Sequence, residues 1–220
     1  MVIPAKNEEK TMVRIVEAVK KYADEIIVID GHSKDRTREI AKSQGAIVFL
    51  DKGKGKGEAI RMGIKKAKGE ITVFIDADLS HDPRDIPKLL QPIRQGKADL
   101  VIGSRRLGGS DELFGDLDKF IRETGSQIIN LGINYFFKVR ITDSQNGLRA
   151  IKTEVARLLG LEENVTTIEQ EMLIKALKKG YRVVEVAAHE YKRKYGDSSI
   201  KLRRVWWRYL YSWIKYLIFS

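Results

Sequence analysis

Two aspartates one residue apart, Asp76 and Asp78, close an apolar run from Ile71 to Ile75. At the end of a strand, residues i and i+2 project to the same face, so both carboxylates enter one space above a sheet edge. Two hard oxygen donors placed there suit Mg²⁺ or Mn²⁺ shared with phosphate oxygens. The chemistry such a pair can do is to hold a nucleoside diphosphate through a divalent metal. A pair of turn aspartates would look the same locally, and the nearby Asp82-Pro83 is turn chemistry.

The elements around the pair must bring it to a sheet edge. Short apolar segments at 2–3, 25–30, 46–50, 71–75 and 99–103 read as strands. Amphipathic helical patterns alternate with them, one beginning near Asn7 as a cap, others over 35–43 and 57–67 and through Ile86, Leu89, Leu90 and Ile93. This alternation predicts an α/β fold with a mostly parallel sheet flanked by helices. In such sheets ligands sit beyond the carboxyl ends of the strands, where Asp30, Asp76 and Gly103-Ser104-Arg105 all fall. The second half is less regular. A glycine-rich acidic loop is expected over 108–118, a long helix over 119–137, a helix over 167–179 and a strand over 181–187.

The bulk composition narrows the chemistry. With 220 residues, 43% apolar and 32% charged, the chain is globular. It has no cysteine, which excludes disulfides, zinc–thiolate sites and a thiol nucleophile. The first residues have no apolar signal-peptide core, and the longest apolar stretch is too short and interrupted to span a bilayer. A net charge of +11 admits nucleic acid, an anionic membrane or phosphorylated substrates. No zinc-finger spacing, RNA-recognition signature or basic zipper is present, so nucleic acid is not an expected partner. The loop Lys52-Gly53-Lys54-Gly55-Lys56-Gly57 invites a phosphate-loop reading, but it lacks the Lys-Ser/Thr ending of a nucleotide-triphosphatase loop. Lys56 can still meet a phosphate. His189 reads as structural, and Glu169 and Glu171 read as acids placed on a helix N-terminus.

Five motifs appear in order: Pro4-Ala5-Lys6-Asn7-Glu8-Glu9, Asp30-Gly31-His32-Ser33-Lys34-Asp35-Arg36-Thr37, Gly55-Lys56-Gly57-Glu58-Ala59, Asp76-Ala77-Asp78 and Gly103-Ser104-Arg105. Together they resemble family-2 glycosyltransferases of the GT-A (Rossmann-like) fold. The later segments at 142–149 and 193–198 resemble the dolichyl-phosphate sugar (mannose or glucose) synthase branch. The resemblance implies that Pro4, Ala5, Asn7, Glu8, Asp30, Lys56, Asp76, Ala77, Asp78 and Arg105 bind a nucleotide-sugar donor. It places the metal, Mg²⁺ or Mn²⁺, on Asp76 and Asp78. It assigns the acceptor's phosphate to Arg122, Arg149, Arg193 and Ser198, with Arg193 also counted as catalytic. The implied reaction is inverting hexose transfer to a polyprenyl or dolichyl phosphate. Such synthases often carry Gln two residues after the second Asp, where this chain has Ser80.

The tail supplies the second anchor. On a helix, Leu202, Val205, Trp206, Tyr209, Leu210, Trp213 and Leu217 form one broad face, and Lys201, Arg204, Arg208 and Lys215 line another. This is the composition of a C-terminal amphipathic interfacial helix lying among headgroups. A helix docked on its own core would share much of that pattern. The expected organisation is therefore a catalytic domain over 1–200 and a membrane-interface helix over 201–220. The expected location is cytoplasmic, peripheral on the cytoplasmic face of an anionic membrane. Three other readings fit parts of the chain. The first is a soluble transferase to a sugar or protein hydroxyl, using Asp143 or Glu171 as base. The others are a nucleotidyltransferase and a non-catalytic membrane module.

Overall fold

The computed structural model describes residues 1–111, 117–193, 195 and 202–219, without the side chains of 117–122 and 202–206. Seven strands, β1 (Val2–Ala5), β2 (Ile27–Asp30), β3 (Ile47–Leu50), β4 (Ile71–Phe74), β5 (Leu100–Ser104), β6 (Arg149–Lys152) and β7 (Val183–Ala187), form one sheet in the order β3-β2-β1-β4-β6-β5-β7. Every adjacent pair is parallel except those made by β6, which runs antiparallel between β4 and β5. The mostly parallel sheet expected from the alternation is present, with an antiparallel strand in its middle. Helices α1 (Glu9–Lys20), α2 (Thr37–Ser43), α3 (Lys56–Lys66), α4 (Ile86–Arg94), α5 (Arg105–Gly108), α6 (Leu117–Phe137), α7 (Thr153–Leu158), α8 (Ile168–Lys178) and α9 (Leu202–Ile214) surround it. A π-helical turn, Lys215–Phe219, continues α9.

Period-two alternation divides each strand between two cores. Val2, Ile27, Ile29, Leu100 and Ile102 face a layer with α3, α7 and α8, while Ile3, Val28, Val73 and Val101 face α1 and α4. Met12, Ile15, Val16 and Val19 of α1 are buried at helical spacing. Each such side chain contributes roughly 1.5–3 kcal/mol on leaving water.

Asn7 does not cap α1, which starts at Glu9 with no side-chain cap. Asn7 instead takes a left-handed backbone, φ 57°, which Asn tolerates better than most residues. Its Oδ1 accepts from Lys34 N at 2.8 Å, and its N donates to Ser33 Oγ at 2.8 Å. The loops after β1 and β2 are thereby joined. Glu8 N adds a bond to Thr37 Oγ1 at 2.8 Å.

The C-terminal helix packs on α6 and α8. Trp213 lies against Gly132 of α6, where any Cβ would collide with the indole. The Tyr209 hydroxyl meets Thr166 Oγ1 at 2.6 Å, and Tyr216 and Leu217 are buried in the core. Part of the apolar face expected to meet lipid is therefore internal. Trp207, Leu210, Tyr211 and Ile214 are exposed on α9, as are Ile218 and Phe219 beyond it. Among the described residues, no helix is long and apolar enough to cross a membrane.

Candidate active site

The loops after β1, β2 and β4, together with the N-terminus of α3, surround a cleft of ≈ 790 Å³. Residues following β7, Arg193 and Tyr195, complete its wall. The cleft lies at the carboxyl ends of the parallel strands, where a right-handed crossover fold leaves its loops to gather.

Asp76 and Asp78 both face this space, and each meets a cation. Lys56 Nζ lies 2.7 Å from Asp76 Oδ1 and 2.9 Å from Oδ2. It also lies 3.0 Å from Glu169 Oε1. Burial opposes the charge on Asp76, but Lys56, His81 and Arg193 outweigh it and hold the carboxyl below its usual range. Burial likewise opposes the Lys56 ammonium, and the carboxylates of Asp76 and Glu169 prevail, holding it above the ordinary lysine range. Asp78 Oδ2 lies 2.6 Å from the Arg193 guanidinium. Asp78 Oδ1 accepts from Ser80 Oγ at 2.6 Å and Ser80 N at 3.0 Å. Ser80 thus fixes the rotamer of Asp78. Glu8, also on the cleft, is raised mainly by burial, with Asp78 adding to the effect.

Among the described residues, no group of three or more His, Cys, Asp or Glu side chains could hold a metal. The donor set is two carboxylates on an open cleft. That set fits a hard cation such as Mg²⁺ or Mn²⁺, whose remaining positions are filled by water and phosphate.

Most of the sequence-expected donor residues converge. Pro4, Ala5, Asn7, Glu8, Lys56, Asp76, Ala77 and Asp78 all line the cleft, as does Arg193, expected at the acceptor's phosphate. Asp30 stands just behind the wall made by Ile29 and Gly31, fully buried. Its Oδ2 accepts from Ser33 N at 3.0 Å, and its Oδ1 is buried without a hydrogen-bond partner among the described residues.

Two expected anion binders are corrected. Arg105 does not line the cleft, because Asp143 already grips it in a bidentate pair at 2.6 and 2.8 Å, with Glu190 at 3.4 Å. Arg149 is fully buried, so it is not a contact for an acceptor's phosphate. Its guanidinium donates to the backbone carbonyls of Ser144, Asn146 and Glu169, and burial pushes its pKa down to about 10. Arg149 organises the 144–149 turn instead. The side chain of Arg122 and all of Ser198 lie outside the described residues. His189 is structural, within 3.1 Å of both the Gly108 carbonyl and Asp111 Oδ1.

Sequence reasoning missed Asp51 and Thr166, and read Glu169 only as an acid on a helix N-terminus. Asp51 follows β3 on the cleft as Asp30 ends β2, and that parallel could have found it. Thr166 lines the cleft from the loop before α8. Glu169 reaches Lys56 from the first turn of α8, and nothing in its local sequence signals that contact.

The chain is similar to known proteins in sequence and fold. The family model described as Glycosyl transferase family 2 matches residues 1–160. A dolichol-phosphate mannosyltransferase of Pyrococcus furiosus is 33% identical over 98% of this chain and 63% of its own length. A UDP-N-acetylglucosamine–dolichyl-phosphate N-acetylglucosaminyltransferase of Methanococcus voltae is 30% identical over 84% of this chain and 82% of its own. A low-salt glycan biosynthesis hexosyltransferase of Haloferax volcanii is 27% identical over 96% of this chain, which spans only 51% of that relative. In fold, the chain is similar to glucosyl-3-phosphoglycerate synthase of Mycobacterium tuberculosis. The form with Mn²⁺, uridine diphosphate and phosphoglyceric acid gives a TM-score of 0.76 at 20% identity, covering 100% of this chain and 78% of that one. The fold is GT-A, and the chain belongs to glycosyltransferase family 2.

Proposed function

We propose that the chain carries out inverting, metal-dependent transfer of a hexose from a nucleotide sugar, of UDP-glucose or GDP-mannose type, to a polyprenyl (dolichyl) phosphate at a membrane surface. The observation that carries this reading is the pair Asp76 and Asp78 on one deep cleft, each ion-paired to a basic side chain. The names of the Pyrococcus and Methanococcus relatives support the acceptor class.

Asp76 and Asp78 would hold Mg²⁺ or Mn²⁺. When bound, the metal neutralises charge developing on the leaving nucleoside diphosphate. Asp30, expected to hold the nucleoside, is fully buried and, like Arg149, is not a ligand contact; it orders the loop after β2 through Ser33 N instead. Arg193 stands beside Asp78, where two anions must meet, and its guanidinium lowers their repulsion. A phosphate monoester has a second pKa near about 6, so the acceptor is already a nucleophilic anion at neutral pH.

Transfer to a hydroxyl would instead need a general base. The two carboxylates that sequence suggested for that task are otherwise committed. Asp143 is clamped by Arg105, and Glu171 accepts from Glu162 N and Glu163 N while pairing with Lys175 at 2.7 Å. Glu171→Gln is therefore expected to cost roughly 3 kcal/mol of stability, by breaking a buried pair. Its kcat should stay within about threefold of wild type below the melting range, because Glu171 touches no reacting group. Loss of transfer in the folded variant would favour a hydroxyl acceptor.

Two helices support the membrane part of the reading. On α6, Leu131 and Phe136 are exposed and Tyr135 is 85% exposed, with Lys138 and Arg140 exposed just beyond. The contacting α9 region adds Trp207, Arg208 and Phe219, the last 80% exposed. Apolar and aromatic groups flanked by cations suit an anionic headgroup layer, such as the cytoplasmic face of a membrane. Co-sedimentation with phosphatidylserine-containing vesicles is expected, and Tyr135→Ser with Phe219→Ser should weaken it roughly tenfold through lost apolar burial. Unchanged vesicle binding in that double variant rules these residues out.

The direct test uses radiolabelled nucleotide sugars, Mn²⁺ and dolichyl phosphate. Label should enter an organic-extractable, acid-labile product, and EDTA should abolish it. Label entering only water-soluble acceptors overturns the reading.

A further inference from the structure

The Lys56 ammonium covers both oxygens of Asp76, at 2.7 and 2.9 Å. A divalent cation on Asp76 needs at least one of those oxygens, and an ammonium left at contact distance repels it. Lys56 must therefore move, but its backbone is pinned. Gly57 N donates to Asn164 O at 2.9 Å, and a Cβ on Gly57 would lie 2.7 Å from Val165 O. Only the side chain can swing. One anion already touches it on the far side, Glu169, with Oε1 at 3.0 Å. The other oxygen of that carboxylate, Oε2, is buried and has no hydrogen-bond partner among the described residues. A buried carboxylate oxygen without a donor is costly, and an arriving ammonium supplies the donor.

We propose that Glu169 is a positioning residue that takes over the Lys56 ammonium when Asp76 turns to a metal, so that metal loading and Lys56 displacement form one exchange. This rests on the reading of Asp76 as a metal ligand given above. Glu169 touches neither donor nor acceptor in this scheme. It acts through Lys56, by keeping a positive charge solvated within the protein while the cation takes its place. The scheme also accounts for a lysine so close to a carboxylate needed elsewhere: the ammonium holds the carboxylate in place until metal arrives.

The test measures Mn²⁺ affinity with the metal alone, from the electron paramagnetic resonance signal of the free ion. Wild type, Glu169→Gln, Lys56→Met and the double variant are compared, with melting in EDTA as the check on folding. Lys56→Gln replaces Lys56→Met should the latter not fold. Glu169→Gln is expected to weaken Mn²⁺ binding roughly tenfold, the range seen for groups that act behind a ligand. Lys56→Met is expected to tighten it. In the Lys56→Met background, Glu169→Gln should change affinity by less than about threefold, because there is no ammonium left to receive. Equal weakening in both backgrounds overturns the proposal, since Glu169 would then act only as a nearby negative charge. An unchanged affinity in Glu169→Gln overturns it as well. Failure of wild type to bind Mn²⁺, even with pyrophosphate added, sinks the metal reading itself and is distinguishable from both.

Discussion

Asp78→Asn should lower transfer by roughly a thousandfold while leaving the fold intact, the scale expected when a group stabilising transition-state charge is removed. The amide keeps the shape of the carboxylate, and its oxygen can still accept from Ser80, now 2.6 Å from Oδ1. It loses the anionic oxygen, however, and with it the ability to share a divalent cation. It also leaves Arg193, 2.6 Å from Oδ2, without its carboxylate. Both losses fall on the site and neither on the core, since Asp78 lies in the turn after β4, on the cleft. Initial rates in the radiolabel assay, beside a melting curve, provide the measurement. A variant that retained a tenth of wild-type activity would remove Asp78 from the metal and the mechanism with it.

The second large effect is expected at a glycine. A Cβ on Gly147 would lie 2.9 Å from Lys56 Nζ and 3.0 Å from Asp76 Oδ2. Those distances are well inside van der Waals contact, so the ion pair must part or the turn must shift. The turn is held in place: Asn146 Nδ2 donates to Gly103 O, and its Oδ1 accepts from Leu148 N at 3.0 Å. The backbone at Gly147 is not left-handed, so alanine brings no conformational strain of its own. Lys56 Nζ ends a flexible side chain and can give way, so the effect of Gly147→Ala lands on the shorter Asp76 carboxylate. A displacement of about 1 Å at a reacting site costs roughly a hundredfold, and that loss is expected in kcat/KM. Wild-type transfer by Gly147→Ala would show that the position of the Asp76 carboxylate does not matter to catalysis.

The parallel part of the sheet was legible because its signal is local. Apolar strands of four or five residues, polar turns and helical stripes each sit within a short window. The carboxylates at the strand ends inherit their placement from that regularity. Long-range partners were not legible. Arg105 and Arg149 look like anion binders in any motif, and only the fold brings Asp143 and Glu190 to one and buries the other beside the Glu169 carbonyl. Glu169 lies far along the chain from Asp76, and only the packing of α8 beside α3 joins them through Lys56. The tail shows the same limit. Helical periodicity identified an amphipathic segment, but which face turns inward depends on Gly132 offering a seat for Trp213. Asn7 was misread because capping chemistry and loop-bridging chemistry use the same side-chain oxygen.

The antiparallel β6 has a consequence for biogenesis. β4 pairs with β6 from Ile71↔Lys152 to Phe74↔Arg149, so the strand leading to the aspartates has one neighbour that leaves the ribosome long after it. Until then β4 offers an open edge, a template for mispairing between nascent chains. The first half of the chain is thus not expected to fold on its own. A fragment ending at residue 111 should aggregate, and co-expression of the remaining segment should rescue it.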